Sequence, residues 1–145
     1  MAAMRTERKT EEPIDKTDPL VLYIRMIRLT QKEKINWVMA NQGMKPSPIG
    51  DDKIDGTVLI ATYKGKRIRL YIKKFQRRLS NLAAQFEGKL YDWSSEAVLE
   101  VVDEAGNTLY KFEQSKALYD LYRVAQYQVA DVSGFIDAVM AEAVS

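Results

Sequence analysis

The sequence predicts an α+β domain: a four-stranded, mostly antiparallel sheet built from two β-hairpins, with N-terminal and C-terminal helices packed on it. Three observations carry this. Two β-rich runs flank Lys64-Gly65, and two more flank the turn-forming stretch "DEAGNT". Apolar stripes at helical spacing precede the first pair and follow the second. The chain of 145 residues, 46% hydrophobic and 29% charged, suits a single core.

Residues 1–16 are polar and mixed in charge. They lack the apolar surface that offsets ordering entropy, so a flexible leader is expected there, followed by one α+β domain over 17–145. "TDP" starts the first helix: Asp18 can accept the first free amide hydrogens, and Pro19 sits where no donor is needed. Leu20, Ile24 and Ile27 follow at helical spacing, with Tyr23 beside them. The same run alternates as Leu20, Leu22, Ile24, Met26, so residues 20–29 are read as helix with strand as the alternative. "TQKE" is a capping box, with Thr30 as cap and Glu33 three residues on. It predicts a second helix whose face holds Ile35, Val38 and Met39 and which stops near Gly43. "MKPSPIGDDKIDG" is a loop, punctuated by proline and glycine.

"TVLIATYKGKRIRLYIKKF" is the first hairpin. With Lys64-Gly65 as a two-residue turn, Tyr63 opposes Lys66, Ala61 opposes Ile68, Leu59 opposes Leu70 and Thr57 opposes Ile72. Leu59, Ala61, Ile68, Leu70 and Ile72 then share the core face. Val58, Ile60, Thr62, Arg67, Arg69 and Tyr71 share the other, and a one-residue slip would exchange the two sets. Leu79, Leu82, Ala83 and Phe86 mark a short helix ending near Gly88. Leu90, Tyr91 and Trp93 lead into the next strand. "AVLEVVDEAGNTLYKF" is the second hairpin, with Val102 opposite Leu109, Val101 opposite Tyr110, Glu100 opposite Lys111 and Leu99 opposite Phe112. Ser115 caps a helix whose stripe is Leu118, Leu121, Tyr122, Ala125 and Val129. Asp131 caps another, with Phe135, Ile136, Val139 and Met140 on one face.

Composition excludes more than it identifies. Without cysteine or histidine, the chain has no disulfide, no thiolate or imidazole metal site, and neither a Ser-His-Asp nor a Cys-His centre. Glycines stand singly, with no phosphate-cradling pattern. Asp51, Asp52 and Asp55 lack calcium-loop spacing, and "EGK" at 87–89 ends a helix instead of lying on a strand. No catalytic residue, metal or cofactor is therefore assigned. The apolar run "PLVLYIRMIRL" is interrupted by Arg25 and Arg28, so no membrane association is expected, and a cytoplasmic location is the default reading.

Charge is sorted along the chain. Residues 64–78 carry 8 basic and no acidic side chains, whereas residues 79–145 carry 4 basic and 11 acidic. On the hairpin register, Arg67, Arg69, Tyr71, Lys73 and Phe75 form one outward row, with Val58 and Ile60 beside it. Arginine and tyrosine bordered by apolar neighbours suit the centre of a protein interface. The expected function is a non-enzymatic protein-interaction or adaptor domain acting through this face, with a protein partner or a second copy. The alternative is a single-stranded nucleic-acid binder using strand 64–78, since cations neutralise phosphates and rings stack bases.

The pattern "LTQKEKINW", two hairpins and "LYDLYRVAQYQVADVSGFIDAVM" resembles small bacterial α/β proteins in which a helix with a Lys-Ile-x-Trp ending leads into a sheet. The resemblance covers roughly residues 20–140 and implies the order of elements. It also implies that the tryptophan stretch can be extended. It carries no activity and no site.

Overall fold

The computed structural model describes residues 18–142. The expected leader, residues 1–16, lies outside them. Five strands, not four, form an antiparallel meander in the order β1-β2-β3-β4-β5: Trp37–Met39, Lys53–Tyr63, Lys66–Arg78, Tyr91–Val102 and Thr108–Lys111. The α+β class and the helices at both ends stand as the sequence predicts.

Helix α1, Pro19–Gln31, starts as expected: the Asp18 carboxylate accepts from the Leu20 amide at 3.0 Å. It buries Tyr23, Met26 and Thr30. The predicted second helix does not form. Glu33 takes a left-handed conformation (φ 61°), and the Lys34 and Ile35 amides fold back onto the Leu29 carbonyl. Thr30 is a last-turn residue, its hydroxyl donating to the Met26 carbonyl at 2.8 Å. The chain then enters β1, with Trp37 opposite Ala61.

Long-range bonds favour this strand over the local capping box. The Trp37 indole donates to Thr30 Oγ1 at 3.1 Å, and its amide donates to Gln128 Oε1 at 2.6 Å. Gln128 Nε2 in turn donates to the carbonyls of Thr30 and Ile35 at 3.0 and 2.9 Å. A buried backbone group without a partner costs about 1–3 kcal/mol, so a side chain that satisfies three of them outweighs one cap.

The β2–β3 turn is the predicted one. Lys64 and Gly65 both have positive φ (51° and 81°), the geometry that matches strand twist in a two-residue hairpin. Tyr63 opposes Lys66, Ala61 opposes Ile68 and Leu59 opposes Leu70, as expected. Beyond that the register shifts at a bulge, so Asp55 and not Thr57 faces Ile72. Gly56 (φ 89°) sits in the bulge, and the Tyr122 hydroxyl donates to the Thr57 carbonyl at 2.6 Å. In the second hairpin Glu100 faces Lys111 and Val101 faces Tyr110, but another bulge sets Val102 against Thr108 instead of Leu109. Asp103 organises that turn. Its carboxylate accepts from the amides of Asn107 and Ala105 at 2.8 and 2.9 Å, and these bonds hold its carboxyl below the usual aspartate value.

The predicted core face is the observed one. Leu59, Ala61, Ile68, Leu70, Ile72, Ala97 and Leu99 pack under α1 and α3, Lys116–Val129. The α3 stripe of Leu118, Leu121, Tyr122 and Ala125 is buried there, and Ser115 caps the helix. Helix α2, Asn81–Glu87, also forms from its local signals, with Ser80 at the start and left-handed Gly88 at the end. Its expected packing face does not become core: Leu82 and Phe86 are exposed, at the tip of the long β3–β4 hairpin.

Candidate interaction surfaces

The basic strand β3 is divided by its pleat. Its odd-numbered positions form the row assigned to an interface: Arg67, Arg69, Tyr71, Lys73 and Phe75. The structure places the centre of that row inside the molecule. Val58, Ile60, Arg69 and Tyr71 are buried, and Arg67, Lys73 and Phe75 are half-buried. The cover comes from the chain itself and includes the short 3-10 turn Gln42–Met44. It is the segment around Ala40 and Met44, together with the Asp103–Thr108 turn. The reading of Arg69 and Tyr71 as exposed anchors, with Val58 and Ile60 beneath them, is therefore corrected.

Arg69, 2% exposed, uses every donor it has. Nε and Nη2 both donate to Glu100 Oε1, at 2.9 and 2.7 Å. Nη1 donates to the carbonyls of Met44 and Gly106 at 3.0 and 2.9 Å, and Nη2 also donates to Thr108 Oγ1 at 3.0 Å. The guanidinium thus clasps two loops to the sheet. Gly106 is fitted to this clasp: its φ is 91°, and a Cβ there would stand 2.7 Å from the Gly43 carbonyl oxygen. Further along the row, Lys73 lies 3.3 Å from Glu96 and 3.7 Å from Asp52, and Lys111 lies 3.6 Å from Glu96. The charges of Arg69 and Lys73 on the odd face are thus met by carboxylates within the chain.

Three phenols sit in this framework. Burial, then the Glu100 carboxylate, pushes Tyr71 well above the ordinary 10.0. Burial, then the Glu113 carboxylate, raises Tyr23, whose hydroxyl donates to the Glu113 carbonyl at 2.6 Å. Burial raises Tyr122, partly offset by its bond to Thr57. A raised folded-state pKa means the neutral phenol's contribution is complete below the unfolded value and is lost as pH rises through the folded one. Urea midpoints should therefore hold up to about pH 10 and fall above it, with the tyrosinate signals of Tyr23, Tyr71 and Tyr122 appearing late. Titration of these three phenols at the ordinary value in the folded chain, read by single Tyr→Phe variants, would contradict their burial.

The even-numbered positions of β3 behave differently. Ile68, Leu70 and Ile72 lie under the helices, and Lys74, Gln76 and Arg78 continue the same face beyond them. Across the strand pairs, Lys53 and Ser95 flank Lys74, Trp93 stands opposite Gln76, and Tyr91 stands opposite Arg78. The helical layer reaches as far as Ser95, whose hydroxyl meets the Tyr119 hydroxyl at 3.0 Å. Past that point Trp93 and Tyr91 are 42% and 49% exposed, and Lys53 Nζ lies 5.3 Å from the centre of the Trp93 ring. Among the described residues, Lys53, Lys74 and Arg78 have no carboxylate partner.

A second surface lies on α4, Val132–Ala141. Asp131 caps it, its carboxylate accepting from the Gly134 amide at 3.3 Å. Its sequence is almost wholly apolar, yet none of its residues is buried. Phe135, Ile136, Val139 and Met140 are 45–77% exposed. A groove of about 610 Å³, lined by Thr30, Val124, Tyr127 and Ser133 among others, adjoins the start of the helix.

Sequence reasoning identified the α4 residues as an apolar face but assigned them to packing. It missed Trp93, Tyr91 and Lys53 as partners of the basic strand. Parity in both strands was the available signal, but the β3–β4 register needed to combine them spans a helix and two turns. No helix among the described residues is long and apolar enough to cross a membrane, and no group of three or more acidic side chains among them could hold a metal ion. No protein-family model, no curated protein and no solved structure matches the chain.

Proposed function

We propose that this chain is a non-enzymatic protein-interaction domain whose docking element is α4, and that the occupant is α4 of a second copy. One observation carries the reading: an apolar helix that buries none of its residues. A helix apolar all round is ordinarily a buried one. Within α4, Asp137 is the lone charged side chain, so the face offers almost nothing for a charged partner to recognise. Its best complement is another surface of the same kind, and two-fold pairing supplies one with every contact made twice.

The magnitudes indicate how tight this pairing is. Burying a side chain of this size contributes about 1.5–3 kcal/mol in full, so four half-exposed ones from each copy give roughly 8–12 kcal/mol. Association costs about 4–15 kcal/mol. Helix α4 alone therefore supports weak pairing, and Tyr127 beside the groove gives the second copy further apolar area. Sedimentation velocity over about 0.01–1 mM should show a concentration-dependent dimer. Phe135→Asp combined with Val139→Asp should abolish it while leaving the circular dichroism spectrum unchanged, because both side chains are already exposed. A chain that stays monomeric across that range would overturn the proposal.

A further inference from the structure

The geometry points to the exposed even face of the β3–β4 hairpin as a binding surface for single-stranded nucleic acid. This site is separate from α4 and does not rest on it. It is also not the row that the sequence alone suggested, whose centre is buried and whose Arg69 and Lys73 are paired with carboxylates. Three features coincide on it: cations without carboxylate partners, exposed aromatic rings between them, and no covering element.

Lys53, Lys74 and Arg78 provide the positive charge. The acidic side chains of the hairpin's outer part, Asp92 and Glu96, stand opposite Arg77 and Lys73 and so belong to the other face. Asp55, opposite Ile72, is the carboxylate on this face, and it lies on the side toward the helices. Pleating has thus segregated the charges: the carboxylates paired to β3 hold Arg69 and Lys73 at odd positions, and the even cations remain available to a polyanion.

The rings decide which polyanion. Tyr91 and Trp93 are two residues apart on one strand, so they point the same way at a spacing of about 6.8 Å. That is twice the roughly 3.4 Å step of stacked bases in a duplex. Bases of an extended strand, splayed apart, can each lie on one ring, whereas paired and stacked bases cannot. Lys53 and Arg78 flank the rings, where phosphates of the same strand would run. Gln76, between them, offers an amide to base edges.

Three phosphate contacts predict a salt slope of about −2 for a single strand, so affinity should fall about 20-fold between 50 and 200 mM salt. The probes are oligothymidylate and oligouridylate of about 12 nucleotides, read by anisotropy with the full chain. Intrinsic fluorescence gives a second readout. Trp37 is 3% exposed, so quenching on addition of oligonucleotide reports on Trp93. Trp93→Ala should weaken binding by about 5–150-fold, the range for losing one stacked base. Lys74→Glu and Arg78→Glu should each weaken it and make the salt slope shallower. All three sites are at the surface, and an unchanged urea midpoint confirms that the fold is intact.

Binding of either oligonucleotide with Trp93 quenching supports the inference, and a preference between them identifies the sugar. Equal binding of a duplex, no binding of either strand at 50 mM salt, or equally effective displacement by polyglutamate would overturn it. The last result would assign the surface to an acidic protein partner. The Phe135→Asp and Val139→Asp variant should bind oligonucleotide as the parent does, so failure of one surface does not imply failure of the other.

Discussion

Replacing Arg69 with alanine is expected to destabilise the domain by about 3–5 kcal/mol, the range for removing one partner of a buried ion pair. The loss has three parts. Glu100, also buried, is left as an uncompensated charge. The carbonyls of Met44 and Gly106 and the Thr108 hydroxyl lose their donor. The Gly106 turn and the segment that covers Ile60 and Val102 through Met44 then have no common anchor. The energy lies mainly in the penalty of breaking the pair, not in the net value of having it. Arg69→Met together with Glu100→Met should therefore fall within about 1–2 kcal/mol of the parent, since apolar replacement of a whole buried pair is often close to neutral. Urea denaturation of the parent, Arg69→Met, Glu100→Met and the double variant measures the coupling directly. A cost below about 1 kcal/mol for Arg69→Ala would show that the clasp is not holding the loops.

Trp37→Ala is expected to cost a further large amount, about 3–5 kcal/mol, as for other buried tryptophans. Trp37 is the side chain through which β1 enters the core, beside Tyr23, Ile35 and Leu121. Its removal opens a cavity at the junction of α1, α3 and the sheet edge and deprives Thr30 Oγ1 of a donor. Trp37→Phe keeps most of the ring volume and loses only the indole hydrogen bond, so about 1–2 kcal/mol is expected. Gln128→Leu should cost at least as much as the phenylalanine variant, because it removes the partner of the Trp37 amide and of the Thr30 and Ile35 carbonyls. Equal effects of the alanine and phenylalanine variants would mean that the hydrogen bond, and not the packing, holds this corner.

These two sites also separate what was legible in the sequence from what was not. The core face of the sheet was legible, because a two-residue turn at Lys64-Gly65 fixes the register of every position near it. The starts of α1, α3 and α4 were legible too, because Asp18, Ser115 and Asp131 act on amides two or three residues away. The two bulges were not, and each moved one predicted pair. Gly56 and the Tyr122 hydroxyl bring about the first, and these groups are far apart in sequence.

The basic strand shows the division most clearly. Alternation alone sorted its residues into two rows, and that sorting holds. Which row would be wet did not follow from it. Arg69 finds its partners 25, 31, 37 and 39 residues away, in Met44, Glu100, Gly106 and Thr108. The segment that covers the odd row carries the local signals of a helix end and a loop. Likewise, the capping box at Thr30 is a sound local signal, overruled because Ala61 and Gln128 satisfy the backbone around Trp37 from a distance. By itself, the sequence determined the Lys64-Gly65 turn, the caps of α1, α3 and α4, the core face and the parity of the charges, since each depends on groups within a few residues. Only the tertiary structure decided that the Arg69 row is buried, that Trp37 lies in a fifth strand, and that the Lys74–Arg78 face and α4 are left uncovered. Burial is decided by which distant segments satisfy a surface's polar groups, and no local pattern contains that information.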